Sequence, residues 1–359
     1  MITQGKIASH GPLRIILTTD EEEDMTGALA IKKVDVAGIK YLINIDAEES
    51  NSVLVSSAAD LDIEVTQKPK TVTSGKKTAC KITISGLLGG HSGVMINEGR
   101  CNGNIALANV LTTLKKSISY DLVSFHGGTA DNAIPAKAEA VIQIHPADKK
   151  ELKQIVKKQL SSLKKKYKGI EPSIKLSVEK TKRSKKTLKR NLTESVLKYA
   201  TKTIDGIYSM SEDMEGLVES SSNLGRVNVD SKGITLRQMV RSSSTEKMDE
   251  IRRKTKKLAK NVHFSFTDQK GSHAWPVNPD STLVPNITSA YRELTGKDMQ
   301  VTAIHAGLEC GAFSELDPGL DMASIGPDIV GAHSPDETLD LNSVPLIFHL
   351  MEKVLMSVS

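Results

Sequence analysis

Residues 14–59 read RIILTTDEEEDMTGALAIKKVDVAGIKYLINIDAEESNSVLVSSAA, and their rhythm decides the fold class. The run 14–19 is apolar and β-rich, as in a strand buried on both faces of a parallel sheet. Five acids follow, Asp20 to Asp24, and then a small-residue, helical stretch from Met25. Residues 39–45 form a second apolar strand ending at Asp46, and residues 52–59 a third. Strands alternating with helix predict an α/β domain, and the carboxyl ends of parallel strands are where such sheets place their sites.

Beyond this stretch the texture changes. Residues 62–84 alternate as an exposed strand would, and residues 104–117 read as a long helix. Residues 120–128 and 137–146 are strand-like, 149–166 an amphipathic helix, 171–181 a strand, 191–204 a helix and 225–242 a hairpin about Asp230 to Gly233. The α/β pattern resumes near Trp275, with a helix at 282–296, strands at 301–306 and 321–327 and a closing helix at 342–356. The expected organisation is an α/β domain of residues 1–61 and 269–359, interrupted by an inserted α+β domain of residues 62–268.

Composition excludes several classes. The chain has 359 residues, 38% hydrophobic and 25% charged, which is a globular composition. No apolar run approaches the roughly 18–20 residues of a spanning helix, and the start has no apolar signal core, so neither membrane nor secretion is expected. Cys80, Cys101 and Cys310 form no CxxC pair, which fits a reducing cytosol. Net charge is +5, and the basic run from Lys149 to Arg190 contains only Tyr167 as an aromatic, so it reads as a solvated face and no nucleic-acid partner is expected.

Three features carry potential chemistry. One carboxylate of the cluster after residue 19 suits a cation while its neighbour suits general-base work; the same cluster also reads as an acidic helix start on the positive end of the dipole. Asp46 ends a strand, where a carboxylate also caps turns. His333 lies in a loop of small residues, with room to reach a metal or to remain a surface histidine. Glu22, Asp46 and His333 together offer two oxygens and a nitrogen, a set suited to zinc.

The stretches HGPLRIILTTDEE (10–22), INIDAEE (43–49), GLLGGHSGVMINEGRCNGN (86–104), GGTADNAIPAKAEAVI (127–142), HAGLECGAF (305–313) and SIGPDIVGAHSPDE (324–337) occur in an order that closely resembles the aminoacyl-histidine dipeptidases (Xaa-His dipeptidase, peptidase D or carnosinase-like). These belong to the di-zinc metallopeptidases with an inserted lid domain. The resemblance implies a cytoplasmic hydrolase acting on a small peptide, with zinc as cofactor and a homodimer formed through the lid. It implies that Glu21 is the general base, that Glu22 and His333 hold one zinc and Asp46 the other, and that His91 steadies the oxyanion. It further implies that Asn132 and Arg241 hold the substrate carboxylate, that Gly307 makes a backbone contact to substrate and that Glu309 orients the peptide. A guanidinium fork suits a carboxylate better than an ammonium does.

The chain departs from the family in places. The family's zinc pair uses five side chains, and two of them, a His and a bridging Asp, precede the HGPL segment; they have no counterpart here, so a truncated catalytic domain is expected. Glu23 and Asp24 stand where the family has an apolar residue and Gly, and Val55 to Ala59 replace a glycine-rich stretch. The main expectation is zinc-dependent hydrolysis of aminoacyl-histidine dipeptides by a metal-activated water. The alternative is a catalytically dead relative that keeps a lid for dimerisation or peptide binding.

Overall fold

The structure, a computed structural model, describes residues 9–22, 25–76, 78–332 and 336–358. The chain divides into two units: Met1–Asp60 with Ser211–Leu217 and Gly271–Ser359, and Leu61–Met210 with Val218–Lys270.

The first unit is built on a four-stranded sheet, in the order Tyr41–Asn44, Asp321–Ser324, Ser52–Ser57, Gln300–Ile304. The outer pairs run parallel, and Ser324 opposite Leu54 makes the one antiparallel contact at the centre. Successive side chains face opposite ways. Val53 and Ala323 therefore join a core with Leu283, Ile287, Leu350 and Val354 from the helices Leu283–Thr295 and Val344–Ser357. Leu54 and Met322 join another with Val36, Trp275, Leu308 and Phe313, which carries the helix Cys310–Leu316. Helices thus cover both faces, as an α/β sheet requires. Buried Asp321 is structural: it accepts from the backbone nitrogens of Thr282 (2.8 Å) and Leu283 (3.0 Å) and so caps the Leu283–Thr295 helix.

The expected strand at 14–19 is absent. Among the described residues this run pairs with no strand, and Ile15 and Leu17 are 76% and 90% exposed. Only Ile16 packs into the core, while the Arg14 guanidinium donates to the carbonyl of Asp35. An apolar run supplies side chains to bury, but a strand also needs a ladder partner, which lies elsewhere in sequence. The helical stretch from Met25 is likewise two short helices, Thr26–Leu29 and Lys33–Val36.

The second unit carries a nine-stranded antiparallel sheet. Its order is Lys175–Lys180, Thr78–Ser85, Ala138–Ile144, Asp121–Gly127, Val218–Val229, Ile234–Ser242, Ala59–Gln67, Ser265–Lys270, with Gly206–Met210 also paired to Val218–Val229. Four helices belong to it: Gly103–Leu114, Lys149–Lys166, Arg190–Lys202 and Thr245–Asn261. The strand Ala59–Gln67 is not exposed as its alternation suggested. Ala59, Leu61, Ile63 and Val65 are buried, because it lies between two other strands with one face in the core. The basic helix Lys149–Lys166 buries Leu152 and Val156 and leaves most of its lysines to solvent. No helix among the described residues is long and apolar enough to cross a membrane.

Candidate active site

Glu21 and Glu22 sit on a turn, not at a strand end. Asp20 adopts φ 62°, a left-handed conformation that Asp tolerates better than most residues. Its carboxylate accepts from Thr26 Oγ1 at 2.7 Å, and its carbonyl accepts from the nitrogen of Met25 at 2.8 Å. Gly27 closes the turn from the other side. Its nitrogen donates to the carbonyl of Thr19 at 3.0 Å, and a Cβ there would lie 2.4 Å from the nitrogen of Thr19. Thr19 and Asp20, which precede Glu21 and Glu22, are therefore held by Met25, Thr26 and Gly27 beyond them.

Asp46 follows the strand Tyr41–Asn44. The turn after it rests on Gly326, where a Cβ would come within 1.6 Å of the carbonyl oxygen of Ala47. Backbone bonds from Ile325 to Asn44 (3.1 Å) and from Ala47 to Ile325 (3.3 Å) lock this approach. Gly326→Ala is expected to cost about 1–3 kcal/mol, because the new methyl meets main chain that can only move bodily. The urea midpoint reads this against Gly319→Ala, whose Cβ meets nothing nearer than 3.5 Å, as control. Equal midpoints would show that Gly326 does not set the Asp46 turn.

The Asp46 carboxyl is raised to about 6, first by desolvation and then by the carboxylates of Glu21, Glu309, Glu48 and Glu22. Burial, followed by Asp46 and Glu309, also pushes the Cys310 thiol well up. Glu309 precedes the helix Cys310–Leu316, is 9% exposed, and its Oε1 is buried with no hydrogen-bond partner among the described residues. Gly307, two residues earlier, packs against Ser272: a Cβ added there would lie 3.1 Å from Ser272 Oγ, so a side chain would crowd the wall. Carboxylates that raise one another's proton affinity are relieved by a cation, and hard oxygens suit a divalent one. The donor chemistry therefore fits a metal. In number the described residues fall short, since no group of three or more His, Cys, Asp or Glu among them is placed to hold one. His333, the nitrogen donor expected from the sequence, lies outside the described residues.

The second unit gathers the other candidates. His91 lies on the two-residue strand Gly90–His91, in register with Ala133 of Ala133–Ile134. Its Nδ1 accepts from the nitrogens of Gly93 (3.3 Å) and Val94 (3.2 Å). A neutral ring so engaged carries its proton on Nε2, which makes that edge a donor. Asn132 occupies the exposed turn just before Ala133, and its carbonyl accepts from the nitrogen of Ser92 at 2.8 Å. Arg241 is buried, 7% exposed, on Ile234–Ser242 opposite Ser221, with Nη2 3.3 Å from Met239 Sδ. His91 and the Asn132 turn share the two-stranded ladder, Arg241 lies on the large sheet, and Val218–Val229 touches both, pairing with the strand of Arg241 and donating from Asn223 to the carbonyls of Asp131 and Ala133.

Residues not anticipated from the sequence support this turn. Burial would raise the Asp131 carboxyl, but hydrogen bonds and charge from Arg226 and Arg237 hold it below its ordinary range. Gly225 allows the turn to sit on the sheet, because a Cβ there would lie 2.4 Å from the carbonyl oxygen of Asp131. The only local sign of these supports is that the strand Val218–Val229 reads VESSSNLGRVNV, with polar residues where a strand in the middle of a sheet would be expected to be apolar.

Residues 82–171 match the model of the peptidase dimerisation domain. Over 354 residues, 96% of this chain and 71% of its relative, the sequence is 32% identical to the cytosol non-specific dipeptidase of Escherichia coli (strain K12). The chain belongs to the aminoacyl-histidine dipeptidase family of metallopeptidases. The fold agrees: a solved aminoacylhistidine dipeptidase from Vibrio alginolyticus matches with a TM-score of 0.93 at 28% identity, over 98% of this chain and 71% of that one. Family membership accounts for a mixed α/β unit joined to an α+β unit that contains the dimerisation-domain segment. It makes the chain a hydrolase by descent.

Proposed function

We propose that this chain hydrolyses dipeptides of the aminoacyl-histidine type in the cytosol, using zinc. Residues 1–61 and 269–359 act as the catalytic domain and 62–268 as the lid. The observation that carries this reading is the 32% identity to a dipeptidase over 96% of this chain, and the desolvated Asp46 with the negative charge of Glu21, Glu309, Glu48 and Glu22 acting on it supports a cation there. Glu22, Asp46 and His333 are the residues that would hold it. Bound zinc supplies Lewis-acid polarisation of the peptide carbonyl and lowers the pKa of water toward neutrality.

The protein's own groups do the rest. Glu21 takes the proton from the attacking water and passes it to the leaving amine, the work of a general base that becomes a general acid. His91, with its proton on Nε2, donates to the developing oxyanion. The Asn132 amide and the Arg241 guanidinium hold the substrate's terminal carboxylate, which selects short peptides with a free C-terminus. Gly307 offers its backbone to the peptide, and Glu309 orients it. The match to a dimerisation domain supports a homodimer formed through the second unit.

The test is zinc content together with hydrolysis of an aminoacyl-histidine dipeptide. Stoichiometric zinc, activity lost to a chelator and activity restored by zinc are expected. A purified chain that holds no zinc after exposure to it, and releases no histidine from the dipeptide, would instead be a binding relative without catalysis.

A further inference from the structure

We infer that Asn223 is a positioning residue for substrate binding, its side-chain amide clamping the two carbonyls that flank Asn132. The Nδ2 group donates to the carbonyl of Ala133 at 2.9 Å and to that of Asp131 at 3.3 Å. Both carbonyls belong to the turn whose middle residue is exposed and carries a substrate-binding role in the reading above, on which this inference rests. Ala133 is also the register partner of His91, so the same clamp fixes the short ladder that holds the histidine.

The clamp is itself anchored. Asn223 is 2% exposed, and its Oδ1 accepts from Asn102 Nδ2 at 3.1 Å. Asn102 cannot turn away, because its Oδ1 caps the helix Gly103–Leu114 by accepting from the nitrogens of Asn104 (2.9 Å) and Ile105 (3.2 Å). Its Nδ2 also donates to Asp205 Oδ1 at 2.8 Å. The Asn223 amide is thereby engaged on both sides, its Nδ2 with the two turn carbonyls and its Oδ1 with the residue that caps a helix. The strand is irregular just beyond it: the register shifts between Asn223 and Arg226, where Gly225 receives the turn. Bulges re-aim side chains and recur beside functional sites.

This separates a positioning role from a general contribution to stability. If Asn223 acts through the Asn132 turn, its loss weakens the hold on the substrate's terminal carboxylate. The penalty then falls on a dipeptide with a free carboxylate and spares the same dipeptide as its C-terminal amide. Asn223→Ala is expected to raise KM for the free dipeptide about tenfold, the loss of hydrogen-bonded positioning, while any fall in kcat, through the ladder that holds His91, is shared by the free dipeptide and its amide. The KM of the amide should be nearly unchanged. Asn223→Asp keeps the volume and the acceptor for Asn102 but turns a carboxylate toward two carbonyls, and should show the same selective loss should the Ala variant fold poorly. Asn132→Ala, run beside them, tests the underlying reading. Selective loss in Asn132→Ala but an unchanged ratio of the two KM values in both Asn223 variants would overturn the clamp alone. No selective loss in Asn132→Ala would overturn the carboxylate role and the clamp with it.

Discussion

Glu21→Gln is expected to lower kcat for dipeptide hydrolysis by about 10²–10⁴-fold, the usual contribution of a positioned general base. The amide keeps the size and much of the hydrogen bonding of the carboxylate but has no affinity for a proton at neutral pH. Zinc content should be unchanged, because Glu21 is assigned to proton transfer and Glu22 to the metal. Substrate affinity should change little, so the loss appears in kcat and kcat/KM together. Glu22→Gln should instead reduce zinc retention, and activity in step with it. The two neighbours are thus separable by one metal assay and one kinetic assay. Wild-type kcat in Glu21→Gln would remove it from the mechanism; loss of zinc in that variant would make it a ligand.

This contrast depends on a crowding of charge that a linear reading does not reveal. Asp20 to Glu22 and Asp46 to Glu48 are acidic clusters that also suit helix starts or turns. What distinguishes them is that Glu21, Glu22, Glu48 and Glu309 all raise the proton affinity of Asp46, a relation across more than 250 residues of sequence. The resemblance names Glu21, Glu22, Asp46 and Glu309, and the structure presents the first two on a turn and not at the expected strand end. The apolar run 14–19 looked like a strand ending at the acids, whereas the acids are held by the left-handed Asp20 and by Gly27 packed on Thr19.

Elements whose information is local were legible. The helix Lys149–Lys166 shows its buried Leu152 and Val156 at helical spacing, and the hairpin of Val218–Val229 with Ile234–Ser242 announces its turn by Asp230 and Gly233. The short ladder between Gly90–His91 and Ala133–Ile134 joins segments about forty residues apart and left no periodic trace. The same holds for Asn223, which reads as one polar residue in a serine-rich strand until its two carbonyl partners are known. Supports of this kind are non-local by nature, because they depend on which backbone groups the fold leaves to be satisfied.

The second large effect concerns stability and lies in that same support. The Asp205 carboxyl is raised from 3.8 to about 6, chiefly by desolvation, against bonds from the Leu224 nitrogen and Asn102 and the more distant charge of Lys166. The residue keeps some exposed surface, but its carboxyl group is enclosed. Its pKa is higher folded than unfolded, so between about pH 4 and 6 the native state binds more protons than the unfolded chain. The stability it contributes is full below about pH 4 and is lost as pH rises through 6, up to about 3 kcal/mol by neutral pH. This is the reverse of an ion-paired carboxylate such as Asp131, whose lowered pKa stabilises at higher pH. Asp205→Asn replaces the ionising group with a neutral one that can still accept from Asn102 and Leu224. The variant should therefore match the wild type in urea midpoint near pH 4 and exceed it progressively toward pH 7.5. A difference that stays constant across this range would mean that Asp205 ionises as freely in the fold as out of it. A growing difference would show that the anchor beneath the Asn102–Asn223 clamp holds an ionised carboxylate at neutral pH at the expense of stability.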